Sequence, residues 1–324
     1  MTASTTTATP ARPSGRAQSF QQRLKAGDDL AYLVTLAAAS SIVLITGLLV
    51  WELFKNSAVS RHQFGWSFLT TSTWDPVAGQ FGALPFIYGT VVTSTLALAI
   101  GIPLGVGAAI FLAELAPPRI SSGLTFLIEL LAAVPSVIFG MLGFFILIPM
   151  LQRLEQPIRS VLGWTPLFQG PFYGVSLLSA GVVLALMIIP FIISISREVI
   201  LAVPNDQREA ALALGATKWE STWDVVVPFA YKGITGSIFL ALARALGETM
   251  AVTMVVGNNP KISSSLFAPG YSIASVIANE FTEATGDLYT SSLIELGLVL
   301  FALTIVINGG ARILVASTSS KAAV

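Results

Sequence analysis

The chain of 324 residues has no cysteine and a single histidine, His62. Disulfides, thiolate nucleophiles and cysteine- or histidine-pair metal sites are therefore excluded. Charge is scarce too: 10% of residues are charged, where a soluble domain carries about 25%. The formal net charge is zero, which leaves no basic footprint for a nucleic acid. Lys25, Lys55, Lys218, Lys232, Lys261 and Lys321 are the only lysines, and none follows a glycine. A phosphate-cradling GK[ST] loop is thus missing, and the chain is not expected to hydrolyse a nucleotide by itself. With no paired-carboxylate motif either, no catalytic residue, metal site or bound cofactor is assigned.

What the chain has is apolar sequence, 54% of its residues. A helix crossing a bilayer needs about 20 mainly apolar residues. Six segments qualify: residues 31–54, 85–113, 123–151, 175–197, 233–257 and 288–314. In lipid each backbone group must be satisfied within its own segment, so these are expected to be helices. The expectation is an all-α polytopic membrane protein with a permease domain over 30–315. Pro103, Pro135 and Pro190 fall inside spans and imply kinks. Residues 1–29, rich in Thr, Ala, Pro, Ser and Arg, read as a disordered tail, with a short second tail at 316–324. The first apolar run reads as an uncleaved helix and not as part of a signal peptide.

Placing the N-terminus in the cytoplasm puts eleven basic residues in the inside connections and five (Lys55, Arg61, Arg153, Arg159 and Lys261) outside. The asymmetry supports a multi-pass protein of the cell membrane with both termini cytoplasmic. The outside connections carry Gly, Pro and aromatics, as in GWTPLFQGPFYG at 163–174; they read either as a modest docking face or as plain loops with interfacial Trp and Tyr.

Between the fourth and fifth spans, the apolar pattern is interrupted by REAALALGATKW, residues 208–219. Pro204 ends the fourth helical region, and Asn205 or Asp206 is placed to cap a new helix, Asp206 and Glu209 having capping-box spacing. Ala210, Ala211, Leu212 and Ala213 favour helix, and Gly215 permits the left-handed turn that ends one. TKWESTWDVVV then leads to Pro228. The reading is two short helices and a sharp turn on the cytoplasmic side, over 205–228, with small alanines able to seat in a groove on another protein.

The fifth span holds ALARALGETMAVTMVVGN, residues 241–258. An arginine at mid-span, Arg244, costs about 2.5–3.5 kcal/mol on insertion scales and is expected to line a wet pathway or to be paired. Glu248 lies four residues on, on the same helical face, and Thr249 and Thr253 add hydroxyls. The guanidinium fork suits tetrahedral oxyanions, and the carboxylate either holds the guanidinium when the site is empty or accepts from a protonated phosphate oxygen. An Arg–Glu pair that only joins helices is the plainer reading. Ser136, beside Pro135 at an expected helix break, is a further pathway candidate. Glu52, Glu114, Glu129, Glu295 and Asn308 read as structural residues near span ends or helix contacts.

The run Glu209-Ala210-Ala211, three residues, Gly215, nine residues, Val225, one residue, Val227-Pro228 resembles the EAA loop of binding-protein-dependent ABC importer permeases, EAA-x3-G-x9-I-x-L-P, with valine for isoleucine and for leucine. ALGETMAVTMVVGN, AVPSVIFG (133–140) and GTVVTSTLALAIGIPLGVGAAIFLAEL (89–115) are similar to segments of PstC-type permeases of phosphate-specific ABC importers. The likeness covers about residues 30–315. It implies a type I ABC importer fold in which Arg244, Glu248, Thr249 and Ser136 belong to the substrate path. Glu209, Ala210, Ala211 and Gly215 then form a coupling helix against a separate ATPase. It further implies a second permease of the PstA type, a pair of ATPase subunits carrying ATP and Mg, and an extracytoplasmic phosphate-binding protein. Sulfate or molybdate as cargo, and an ion-coupled secondary transporter using Glu248 or Glu295, are the alternatives.

Overall fold

The structure is a computed structural model that describes residues 28–321. The expected tail at 1–29 lies outside the described residues except for its last two, which already belong to a helix. The chain divides into two units, residues 1–52 and 53–324. The first, where described, is the greater part of one helix.

In chain order the principal helices are α1 (Asp28–Asn56), α2 (Leu84–Leu115), α3 (Pro118–Ala132), α4 (Ser136–Leu162), α5 (Leu177–Leu201), α6 (Asn205–Ala213), α7 (Lys218–Leu246), α8 (Met250–Val255), α9 (Ile273–Glu280) and α10 (Asp287–Lys321). Six of them, α1, α2, α4, α5, α7 and α10, are long and apolar enough to cross a membrane. No strand occurs among the described residues beyond an isolated bridge, Asp75 to Gln80. The protein is all-helical, with six spans.

The second unit is built around α5. Two thirds of its most apolar window, 67%, is buried, against 33% or less in α2, α4, α7 and α10. Helix α2 packs against it through small residues. A Cβ at Gly181 would come within 2.4 Å of Leu96, one at Gly101 within 3.0 Å of Ile188, and one at Gly105 within 2.8 Å of Ile192. The contacts advance together along both helices, so α2 and α5 run parallel. Lipid offers no hydrophobic drive between helices, and close backbone approach through small residues supplies the packing instead.

Three boundaries differ from the expected ones. The third apolar segment, expected over 123–151, is split: α3 ends at Ala132, and α4 begins at Ser136 after Pro135. Proline disfavours helical backbone in the residue before it, so Pro135 separates two helices, whereas Pro103 and Pro190 lie within α2 and α5. The fifth, expected over 233–257, begins earlier, at Lys218, and stops at Leu246, capped by Gly247. TKWESTWDVVV is therefore the first part of this span. A π-helical turn over Ser221–Val226 precedes Pro228; the wider turn absorbs the clash between the proline ring and the carbonyl four residues back.

The third difference is residues 257–272. All but Gly257 were expected to be part of an outside loop; they are ordered and pack on the first turns of α2 and α5. Gly270 donates its amide to Val256 O (2.9 Å), Asn259 to Gly270 O (3.0 Å), and Leu177 and Leu178 donate to Ala268 O and Leu266 O. Phe267 is fully buried and Tyr271 nearly so. Buried non-helical backbone is tolerated where other backbone groups satisfy it.

Candidate functional site

At the end of the bundle where α5 stops, Pro204 occupies the N-cap of α6 and no side chain caps that helix, so the expected Asp206–Glu209 capping box does not form. Its C-terminus is as expected. Gly215 adopts φ +92°, the Gly215 amide reaches Leu212 O (3.0 Å), and the Ala216 amide reaches Ala211 O (3.1 Å). This paired bonding is the Schellman arrangement, in which glycine carries the left-handed residue. Thr217 then caps α7 in a capping box: the Thr217 amide donates to Glu220 Oε2 (2.7 Å) and the Glu220 amide to Thr217 Oγ1 (3.3 Å).

Glu209, Ala210, Gly215 and the 90%-exposed Leu214 face outward. Ala211 does not: it is buried, in a helix that packs on the Ser221–Val226 turn, so the alanine face available to a partner is narrower than the sequence implied. Next to it stand Trp219 and Trp223, half-exposed and stacked with ring centroids 5.7 Å apart.

Sequence reasoning missed how this knuckle is fastened. Arg208 on α6 donates from Nη2 (2.7 Å) and Nε (3.0 Å) to Glu114 Oε1 at the end of α2, from Nη2 to Ile200 O (2.8 Å) and from Nη1 to Val203 O. The two side chains are only 17% and 12% exposed. One guanidinium thus holds α6 to the ends of both α2 and α5. Glu114, read from sequence as a carboxylate near water, is half of this pair; a separation of 94 positions hid it.

The oxyanion candidates lie at two helix breaks. Arg244 is in the last turn of α7 and not at mid-span as expected. The helix ends two residues later, so Arg244 and Glu248 no longer share a helical face. Glu248 Oε1 accepts from the Ala251 amide (3.1 Å) and so caps the start of α8, where a carboxylate is favoured by the free amides and the helix dipole. Arg244 is exposed and forms no ion pair among the described residues; its guanidinium carbon stands 5.9 Å from the Phe191 ring centroid. The expected Arg–Glu clasp is replaced by a cap on one side and an uncommitted guanidinium on the other.

Ser136 opens α4, and Thr249 directly precedes α8. The two helices pack closely: a Cβ on Gly140 would lie 2.7 Å from Met254 Sδ and 3.0 Å from Ala251 Cα, and one on Gly143 would lie 3.1 Å from Val255. These contacts advance in the same direction, so α4 and α8 run parallel with their starts at one level. The fold therefore brings Ser136 to the level of Thr249 and Glu248, half-buried like them. The chemistry on offer is a forked cation, two hydroxyls, and a carboxylate oxygen beyond the one used in capping. Among the described residues no group of three or more His, Cys, Asp or Glu gathers to hold a metal.

A family model described as binding-protein-dependent transport system inner membrane component matches residues 101–320. The phosphate transport system permease protein PstC of Mesorhizobium japonicum is 48% identical over 296 residues, 90% of each chain. PstC 2 of Mycobacterium tuberculosis is 39% identical over 88% of this chain and 91% of its own. Among solved structures, an inward-facing conformation of the MetNI methionine ABC transporter aligns over 72% of this chain and 94% of its own, with TM-score 0.51 and 16% identity. That likeness concerns the fold alone, that of an ABC importer permease.

Proposed function

The chain belongs to the family of binding-protein-dependent transport system inner membrane components, and from that membership we infer that it is the permease subunit of an ATP-driven ABC importer that moves inorganic phosphate into the cytoplasm. Its 48% identity over 90% of its length to a phosphate permease is the observation that carries the substrate.

The residues supply a mechanism for such a cargo. Arg244, free of an ion pair, offers a planar fork of donors for two phosphate oxygens. The Ser136 and Thr249 hydroxyls stand at the level of the same break. Glu248 keeps one oxygen on the Ala251 amide, and its other oxygen accepts from the hydroxyl of a protonated phosphate. Sulfate at neutral pH has no such hydroxyl, and a carboxylate facing it is left without a donor. This is the feature that favours phosphate over sulfate or molybdate, the second reading.

The work arrives from another chain. We assign both termini and α6 to the cytoplasmic side, with Glu209, Ala210 and Gly215 meeting one of a pair of ATPase subunits that carry ATP and Mg. No catalytic residue or cofactor is assigned to this chain. Ala211 acts from inside by seating α6 on α7, and Arg208 passes the displacement to α2 and α5. The ATPase biases inward- against outward-open arrangements through its different contacts with each. A second permease of the PstA type completes the pathway, and an extracytoplasmic phosphate-binding protein delivers the anion.

Reconstitution with those three partners tests the reading. ATP-dependent uptake of labelled phosphate that excess sulfate does not compete away is the expected result. Equal competition by sulfate or molybdate would reassign the cargo, and uptake indifferent to ATP would point to the ion-coupled alternative.

A further inference from the structure

A cavity of about 630 Å³ lies between the short helix Ala58–Phe64, the start of α2 and the first half of α10. It is remote in sequence from both helix breaks, and the phosphate pathway makes no use of it. Its wall is apolar, formed by Phe54, Trp66, Ile87, Leu298, Leu303 and Val306 among others, and two charged residues, Arg61 and Glu295, stand in it.

Glu295 is 5% exposed. The buried Oε2 of its carboxylate has no hydrogen-bond partner among the described residues. A buried polar atom left in that state costs free energy that a donor would recover. Arg61 does not supply one. Its Nε donates to Ser57 Oγ (3.0 Å) and its Nη2 to Phe54 O, and its guanidinium carbon lies 3.6 Å over the Phe54 ring. No ion pair joins Arg61 to Glu295 among the described residues.

The cavity's shape identifies what could supply the donor. Glu295, Val299, Ala302 and Val306 recur every three or four residues and share one face of α10. From Glu295 to Val306 the helix rises about 16 Å, close to half of a hydrocarbon core about 30 Å thick. The groove therefore runs the depth of one leaflet. Trp66, 86% exposed, stands at its charged end, as interfacial tryptophans do.

We propose that this groove binds one phospholipid with a primary-ammonium headgroup, its acyl chain along Leu298 to Val306, its phosphate against Arg61 and its ammonium on Glu295 Oε2. An ammonium brings three N–H donors and supplies the missing one. A choline headgroup has none, and a glycerol headgroup leaves the carboxylate facing a net anion. The assignment requires only that α10 crosses the bilayer, so it stands or falls independently of the cargo.

The test is native mass spectrometry of the full chain in mild detergent, offered equimolar phosphatidylethanolamine, phosphatidylcholine and phosphatidylglycerol. The wild type is expected to retain one phosphatidylethanolamine, preferred about tenfold over phosphatidylcholine, as the loss of one charge-assisted hydrogen bond predicts. Glu295→Gln removes that preference. Ala302→Trp, which fills the groove from its exposed side and leaves Glu295 intact, removes retention of every lipid. Retention of no lipid, equal retention of phosphatidylcholine or phosphatidylglycerol by the wild type, or an undiminished preference in Glu295→Gln would each overturn the site.

Discussion

Arg208→Ala cuts a side chain that holds α6 to both α2 and α5. It removes the bonds to Glu114 at 2.7 and 3.0 Å, the bond to Ile200 O at 2.8 Å and the bond to Val203 O. It also strands Glu114, only 12% exposed, without its counter-charge. Breaking a buried pair by deleting one partner costs about 3–5 kcal/mol. These side chains keep some contact with water, so a loss of about 2–3 kcal/mol is expected. The isolated contribution comes from a cycle of Arg208→Gln, Glu114→Gln and the double variant, followed by thermal unfolding in detergent. Residues in direct contact couple by about 0.5–3 kcal/mol, and a coupling above 1 kcal/mol is expected here. In the assembled transporter the same variants raise the ATP hydrolysed per phosphate imported, because the ATPase still docks but its displacement no longer reaches α2. Additive stabilities, within about 0.5 kcal/mol, together with an unchanged ATP-to-phosphate ratio, would refute the strut.

Other substitutions probe single features. Gly140→Leu forces a side chain into the 3.0 Å approach to Ala251 Cα; overpacking of this kind costs about 1–3 kcal/mol, and it should separate the two helix starts and reduce uptake, which wild-type uptake at normal expression would contradict. Gly215→Ala meets open space but must hold φ +92°; about 1–2 kcal/mol of stability should be lost, measurable as a lower melting temperature. Glu248→Gln retains a carbonyl oxygen for the Ala251 amide and so should fold normally, while sulfate becomes a better competitor of phosphate uptake; an unaltered competition curve would remove the carboxylate from selectivity.

The spans were legible because lipid imposes one rule on every backbone group, and length plus apolarity reports compliance with it. The turn after α6 was legible for a local reason: Gly215 holds a positive φ that few other residues accept, and its bonding partners lie within a few positions. What stayed hidden depends on tertiary context. Pro135, Pro103 and Pro190 look alike in sequence, yet of the three only Pro135 separates two helices. The burial of Ala211 comes with the packing of its helix on the Ser221–Val226 segment, and Arg208 finds Glu114 at a separation of 94 positions. Arg244 and Glu248 kept the spacing of a helical pair, but the helix stops at Leu246 and the carboxylate finds a backbone amide instead. The burial of residues 257–272 likewise follows from amides and carbonyls meeting across the bundle, which side-chain patterning does not record.

The central claim is that an uncommitted guanidinium at the α7 break carries the anion, and ATP-dependent phosphate uptake by reconstituted Arg244→Ala and Arg244→Lys transporters tests it most directly. With assembly and basal ATP hydrolysis intact, Arg244→Ala should lose uptake by about a hundredfold, equivalent to about 2.7 kcal/mol, the scale of one strong hydrogen bond to a charged group. Lysine, which keeps the charge but not the fork, should restore only part of it. Uptake by Arg244→Ala within about twofold of wild type would contradict the account.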